Sequence, residues 1–174
     1  RYNALLAGNV PNIFSLEYAG GCLQDINFYN LYMNVALFGK PKQAVYYPNM
    51  YPGQADTSGV LVLQYDDFVS SNVGAKDTWG INFLQIEGEG GYLYVKDGTS
   101  GLTEITLVTR EGETVLNRQE PVSRWLYEVQ QITRLVHAGD LAECYRRLDV
   151  MLDVVEILEK ARKDAGILFP CDER

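Results

Sequence analysis

Between residues 42 and 116 the chain is written almost entirely in short β segments. Tyr, Val, Ile, Leu and Thr dominate, and turn signals recur at short intervals. The candidate strands are QAVYYP, SGVLVLQY, DFVSSNVGA, GINFLQIEG, GYLYVKD, LTEITLVTR and the shorter GETVLN. YPGQAD, YDD, EGEGG, KDGTSG and REG lie between them. Links this short join neighbouring strands without a crossover, so the pattern predicts a mostly antiparallel meander. Two strands break simple alternation: Val60, Leu61, Val62 and Leu63, and then Ile81, Phe83, Leu84 and Ile86. A sheet with one solvated face should alternate. These central strands are therefore expected to be covered on both sides.

Helical periods flank the β region. Cys22, Ile26, Tyr29, Met33 and Leu37 recur at helical spacing over 21–39, and Gly39 followed by Pro41 closes that helix. Residues 1–20 show no sustained period and read as a loop that wraps over another element. From residue 121, Val122, Trp125, Val129, Ile132 and Val136 form one stripe. Gly139 can end that helix, and Asp140 with Glu143 forms a capping box for the next. The second helix carries Leu141, Tyr145, Leu148, Leu152, Val155 and Leu158 on one side. The fold class is α+β: a large, mostly antiparallel open sheet with an αα-hairpin and other helices packed on one face. The other face is expected to meet a second copy, giving a homodimer; cover by the 1–20 loop and the helices is the competing reading.

Composition narrows the function. The 174 residues carry 15 Lys and Arg against 23 Asp and Glu, a net charge of −8, and 47% are hydrophobic. This is one domain with enough apolar material for a core. Its pI of about 4.6 argues against a nucleic-acid partner, which needs a basic face. No apolar run reaches membrane-spanning length, and the opening residues do not have the order of a signal peptide. Cys22, Cys144 and Cys171 are too dispersed to suggest a disulfide framework, which points to the cytoplasm. His137 is the one histidine, so a multi-histidine metal site is excluded; at a helix end it suits the helix dipole. No metal site is expected. Asp66 and Asp67 read as a solvated hairpin tip, and EGEGG (87–91) as a hairpin turn, since no helix N-terminus follows to receive a phosphate.

The first long helix carries the chemistry. Gly20 and Gly21 precede it and permit close approach of another group. Asp25 and Tyr29 follow at i and i+4, one turn apart. A carboxylate beside a phenol can orient it, and a nearby lysine is the usual helper in acid–base work. Lys40 and Lys42, past the helix end, are the lysines closest in sequence. The same spacing also fits Asp25 as a cap and Tyr29 as a core residue.

These residues resemble a known family. AGGCLQDINFYNLYMNVALFGKPKQAV is similar to the opening of the C-terminal domain of the glucose–fructose oxidoreductase / inositol dehydrogenase / rhizopine catabolism (Gfo/Idh/MocA) family, with its Gly-Gly-x-x-x-Asp-[ILV]-Gly-x-[HY] helix. The meander, the EGEGGYLYV turn and the closing helix pair follow in the family's order. The resemblance implies a two-domain NAD(P)-dependent oxidoreductase of the dihydrodiol-dehydrogenase-like branch, acting on a sugar, cyclitol or diol. It makes Asp25 and Tyr29 catalytic: Tyr29 exchanges a proton with the substrate oxygen and Asp25 orients. It places Gly21, Asn27 and Trp125 at the substrate, with Glu128 beside Trp125 on the late helix. Asn27 stands where the family has Gly, a departure that also allows a non-catalytic dimerisation or small-ligand-binding module. NAD or NADP would be held mainly by an N-terminal Rossmann domain absent here, since no G-x-G-x-x-G unit occurs. The start at Arg1 then reads as the cut between the domains. The chain alone is expected to be inactive.

Overall fold

A computed structural model describes all residues except Pro121, Val122, Arg124 and Arg174, with the side chain of Glu173 also left aside. In chain order the elements are α1 (Tyr2–Leu6), a π-helical turn (Leu23–Asn27), α2 (Phe28–Phe38), β1 (Gln43–Met50), β2 (Asp56–Gln64), β3 (Val69–Ala75), β4 (Phe83–Gly88), β5 (Gly91–Lys96), α3 (Gly98–Gly101), β6 (Glu104–Thr109), β7 (Gly112–Arg118), α4 (Trp125–Ala138) and α5 (Leu141–Asp164). All seven expected strands form, and every pairing is antiparallel. They divide into two sheets, β1–β2–β3 and β4–β5–β6–β7, rather than one large one. The division falls after Ala75. Just beyond it, the Lys76 ammonium donates to the Ile13 and Gly21 carbonyls and Asp77 accepts from Thr57 of β2. The chain forms two compact units, residues 1–79 with 147–174, and residues 80–146. Among the described residues, no helix is long and apolar enough to cross a membrane.

The first unit holds the larger core. Leu31 and Val35 of α2, Tyr46, Leu61 and Leu63 of the sheet, and Val154, Leu158 and Ala161 of α5 pack together with Ile167 and Phe169. One sheet face is thus covered by two helices. On the opposite face Tyr47, Val60 and Val73 lie side by side in register, with Tyr47 and Val73 more than half exposed. The apolar residues on both faces of β2 therefore have different fates: Leu61 and Leu63 are buried, while Val60 and Val62 are partly exposed. The first twenty residues, expected to be irregular, carry α1 and two short 3₁₀ turns, and they bury Leu5 and Phe14.

The pair Gly59 and Gly74, opposite each other on β2 and β3, makes room for the start of the helix. A Cβ at Gly74 would lie 2.9 Å from Cys22 Sγ and 3.0 Å from Asn27 Nδ2, and one at Gly59 would collide with the Tyr46 ring. The helix beginning can therefore press directly onto the sheet.

The second unit is a four-stranded meander with Val95 and Thr106 buried, followed by α4. Gly139 ends α4 with φ +61°, and Asp140 Oδ1 accepts the Glu143 amide at 3.1 Å, so α5 starts where the capping pattern places it. His137 lies in the last turn of α4. Of the expected apolar stripes, only Leu158 is buried among the described residues. Trp125, Val129, Ile132 and Val136 are all more than half exposed, and Leu135 is the buried residue of α4; Val122 lies outside the described residues. On α5 Leu141, Tyr145, Leu148 and Leu152 are exposed, while Val154, Leu158 and Ala161 face the core.

Arg162 secures the end of α5. Its guanidinium donates at 2.6 and 2.8 Å to the two Asp172 oxygens and at 2.6 Å to the Ile167 carbonyl, and it lies 4.1 Å from the centre of the Phe169 ring. Arg162 and the Phe169 amide hold the Asp172 carboxyl well below the usual range. The stabilisation is present above the unfolded carboxylate value of about 3.9 and fades as pH falls below it. Asp172→Asn is therefore expected to lower Tm at pH 7, with the gap to wild type closing as pH is lowered below about 4. A gap independent of pH would contradict this, and thermal melts across pH read it.

Candidate functional site

The site begins at the π-helical turn. A π turn is a rare insertion that is often found where a helix serves a function. Its first amide, Leu23 N–H, would lack a partner in an ordinary first turn. Here it donates to Asp56 Oδ2 at 2.8 Å. The same oxygen accepts the Tyr46 hydroxyl at 2.6 Å. Asp56 is fully buried, so these bonds offset the cost of removing a carboxylate from water. Burial, reinforced by the Asp56 charge, raises the Tyr46 phenol far above its ordinary value. Cys22 shares this environment and is pushed up to about 12, first by burial and then by Asp56.

Gly21 lets Asp56 approach. Its φ is +131°, and a Cβ there would sit 2.2 Å from Asp56 Oδ1. The close approach predicted at the Gly-Gly pair is real, but the approaching group is a carboxylate of the protein. Asn27 is packed inward as well. It is fully buried, its amide donates to the Gly59 carbonyl at 3.5 Å, and its Oδ1 accepts from Asn30 at 3.1 Å. Next along the helix, Asn34 donates to Asn72 Oδ1 at 2.9 Å, and Asn72 donates to the Leu61 carbonyl at 3.1 Å. Asn27 belongs to a seam of amides that joins the helix to β2 and β3. A glycine could not make these bonds.

Asp25 has a different setting. Its side chain is half exposed, and Oδ2 lies 2.9 Å from Lys76 Nζ. The lysine side chain is 6% exposed, and its ammonium also donates to the carbonyls of Gly21 at 2.9 Å and Ile13 at 3.1 Å, 5.5 Å from the centre of the Phe14 ring. Asp25 and Lys76 line an open cavity of about 540 Å³, together with Ile13, Phe14, Ile26 and Asp77. Asp77 Oδ2 accepts from Thr57 at 2.7 Å, Ser58 at 3.0 Å and Asn49 at 3.2 Å. Burial pushes the Asp77 carboxyl up, but these bonds and its own backbone amide outweigh it and hold the carboxyl below its ordinary value. The cavity therefore combines carboxylates with apolar walls.

Tyr29 lies on α2, more than half exposed, with its ring edge-on to Phe28 at 5.5 Å. It does not line the cavity. Tyr29 is not a core residue, and the Asp25 carboxylate is paired with Lys76. Trp125 starts α4 in the other compact unit, with its side chain mostly exposed. Lys40 and Lys42 are engaged elsewhere, with Asp153 and Glu156 and with Asp66. The lysine beside Asp25 is Lys76, which comes from the end of β3. Sequence proximity could not find it; the Lys76-Asp77 pair closing a strand was the available signal.

The relatives of the chain agree with this architecture. It is 28% identical over 99% of its length to scyllo-inositol 2-dehydrogenase (NADP(+)) IolU of Bacillus subtilis, of which it covers 53%. It is 30% identical over 99% of its length to the uncharacterized oxidoreductase YgjR of Escherichia coli, of which it covers 52%. Both relatives are oxidoreductases by name, and the chain is similar to each along nearly its whole length. It spans about half the length of the curated relatives it matches. No family model matches it. Among solved structures, a candidate oxidoreductase from Klebsiella pneumoniae shares the fold with TM-score 0.62 at 15% identity, over 84% of this chain and 48% of that one. The candidate oxidoreductase yvaA from Bacillus subtilis gives TM-score 0.58 at 14% identity, over 86% of this chain and 51% of that one.

The setting of Cys22 yields a direct chemical test. With the thiol buried and pushed up to about 12, native protein treated with iodoacetamide at pH 8 is expected to alkylate exposed Cys171 and spare Cys22 until urea is added. Labelling of native Cys22 as fast as Cys171 would contradict the packed helix start.

Proposed function

We propose that this domain is the substrate-binding part of an NAD(P)-dependent dehydrogenase that moves a hydride to or from a polyol, with a cyclitol as the first candidate. The observation that supports this most is the Asp25 carboxylate, anchored through one oxygen to Lys76 and half exposed at a cavity on a π turn. The activity in the name of the relative IolU, on scyllo-inositol, supports the same substrate class.

In this reading Asp25 accepts a hydrogen bond from a substrate hydroxyl at the rim of the cavity. Tyr29, on the following turn and outside the cavity lining, exchanges a proton with the oxygen that alternates between hydroxyl and carbonyl. Apolar walls from Ile13, Phe14 and Ile26 meet the C–H faces of the ring. The dinucleotide does not fit this chain. Among the described residues both sheets are antiparallel, and the Gly-rich run 87–91 is the β4–β5 hairpin turn rather than the parallel strand–turn–helix unit that cradles a pyrophosphate. In the proposal it sits on the part of the relatives that the chain does not span, and no step is drawn through it here. A second copy would cover the face that carries Tyr47, Val60 and Val73, and the three free cysteines suit a reducing cytoplasm.

The test uses the longer protein with NAD and NADP against a panel of cyclitols and sugars. Oxidation of a cyclitol is expected, with Tyr29→Phe and Asp25→Asn each lowering kcat by at least about 100-fold. Rates within twofold of wild type would remove that residue from the chemistry. Sedimentation at micromolar concentration is expected to show a dimer, and a monomer would remove the proposed partner of the sheet face.

A further inference from the structure

We infer that Lys76 is a positioning residue for the Asp25 carboxylate, a role that rests on the proposed function of Asp25. An ammonium has three donors and no acceptor. Lys76 Nζ has three oxygens around it: Asp25 Oδ2 at 2.9 Å, the Gly21 carbonyl at 2.9 Å and the Ile13 carbonyl at 3.1 Å. Its side chain is 6% exposed and its charge faces the Phe14 ring. With each donor engaged inside the protein, Lys76 has none left for a substrate hydroxyl. It reaches the substrate only through Asp25.

The geometry also explains why a lysine is needed. Asp25 stands in a π turn, where backbone spacing differs from that of a regular helix. Its side chain is half exposed, and an unanchored carboxylate there would sample several rotamers. Lys76 fixes one oxygen against two backbone carbonyls that belong to a rigid part of the fold. Gly21 is wedged against buried Asp56, and Ile13 is next to buried Phe14. The anchor is therefore referenced to the core rather than to a mobile surface. A misplacement of about 1 Å at a reacting group can reduce turnover about 100-fold, so an anchor of this kind affects kcat.

A purely structural lysine would tie residues 13 and 21 together and do nothing through Asp25. The two roles separate in a double-mutant cycle, because only residues that act through one another are non-additive. Lys76→Gln keeps an amide that can donate to the carbonyls but removes the charge from Asp25, and Lys76→Arg keeps the charge on a different shape. Each is combined with Asp25→Asn in the longer protein, and kcat and KM are measured on the best cyclitol of the panel, with melting curves for every variant. Lys76→Gln is expected to lower kcat about tenfold in the presence of Asp25, with KM within about twofold, and to have less than a twofold effect on kcat in the Asp25→Asn background. Lys76→Arg is expected to retain more of kcat than Lys76→Gln. If Lys76→Gln does not fold, Lys76→Arg carries the cycle, and its loss of kcat must again vanish in the Asp25→Asn background. Equal fold losses in both backgrounds would overturn the positioning role while leaving the reading of Asp25 intact. An Asp25→Asn enzyme with wild-type kcat would overturn that reading, and the positioning role with it.

Discussion

The structure around the site depends on two buried charges that bind backbone rather than each other. Asp56 receives the first amide of the helix and the Tyr46 hydroxyl, and Lys76 gathers two carbonyls and the Asp25 carboxylate. A helix start offers unpaired N–H groups, and a loop that precedes it offers unpaired carbonyls. A carboxylate suits the first and an ammonium suits the second. Burying either charge alone would be costly, and each is tolerated because main chain, with the Tyr46 hydroxyl for Asp56 and the Asp25 carboxylate for Lys76, supplies its partners. The glycines at 21, 59 and 74 are the steric condition for this, because a Cβ at any of them would occupy space already used.

This arrangement leads from packing to chemistry. The amide seam of Asn27, Asn34 and Asn72 and the paired glycines bring the helix onto the sheet, and the π turn then directs Asp25 to the cavity side. Asp56 and Asp25 lie on opposite sides of the same turn in function as well as in place. One is sealed in the core and serves the fold, while the other keeps half of its surface in water and is available to a ligand.

Much of the fold was legible because strands and caps are local. The seven strands follow from β-rich runs between turn signals, α2 ends at Gly39, and α5 starts at Asp140. The division into two sheets was not legible, because strand-like runs and short turns look the same whether or not neighbouring strands pair. The stripes on α4 and α5 were misread because periodicity shows that a face is apolar without showing what meets it. Leu135, Val154 and Ala161 are buried instead of the longer stripes. At the site, the placement of Asp25 and Tyr29 on the first long helix was legible from their spacing. The packing of Gly21 and Asn27 was not, since both depend on partners from β2 and β3. Lys76 had only the weak signal of a charged pair closing a strand: its partners are at 13, 21 and 25, and the tertiary fold unites them.

The central claim is that the anchored Asp25 carboxylate meets the substrate. A crystal structure of the longer protein with a bound cyclitol tests it most directly. The account predicts a ring hydroxyl within hydrogen-bond reach of Asp25, about 2.6–3.2 Å, with the Lys76 contact to the other oxygen intact. A cyclitol bound with no hydroxyl near Asp25 would contradict it.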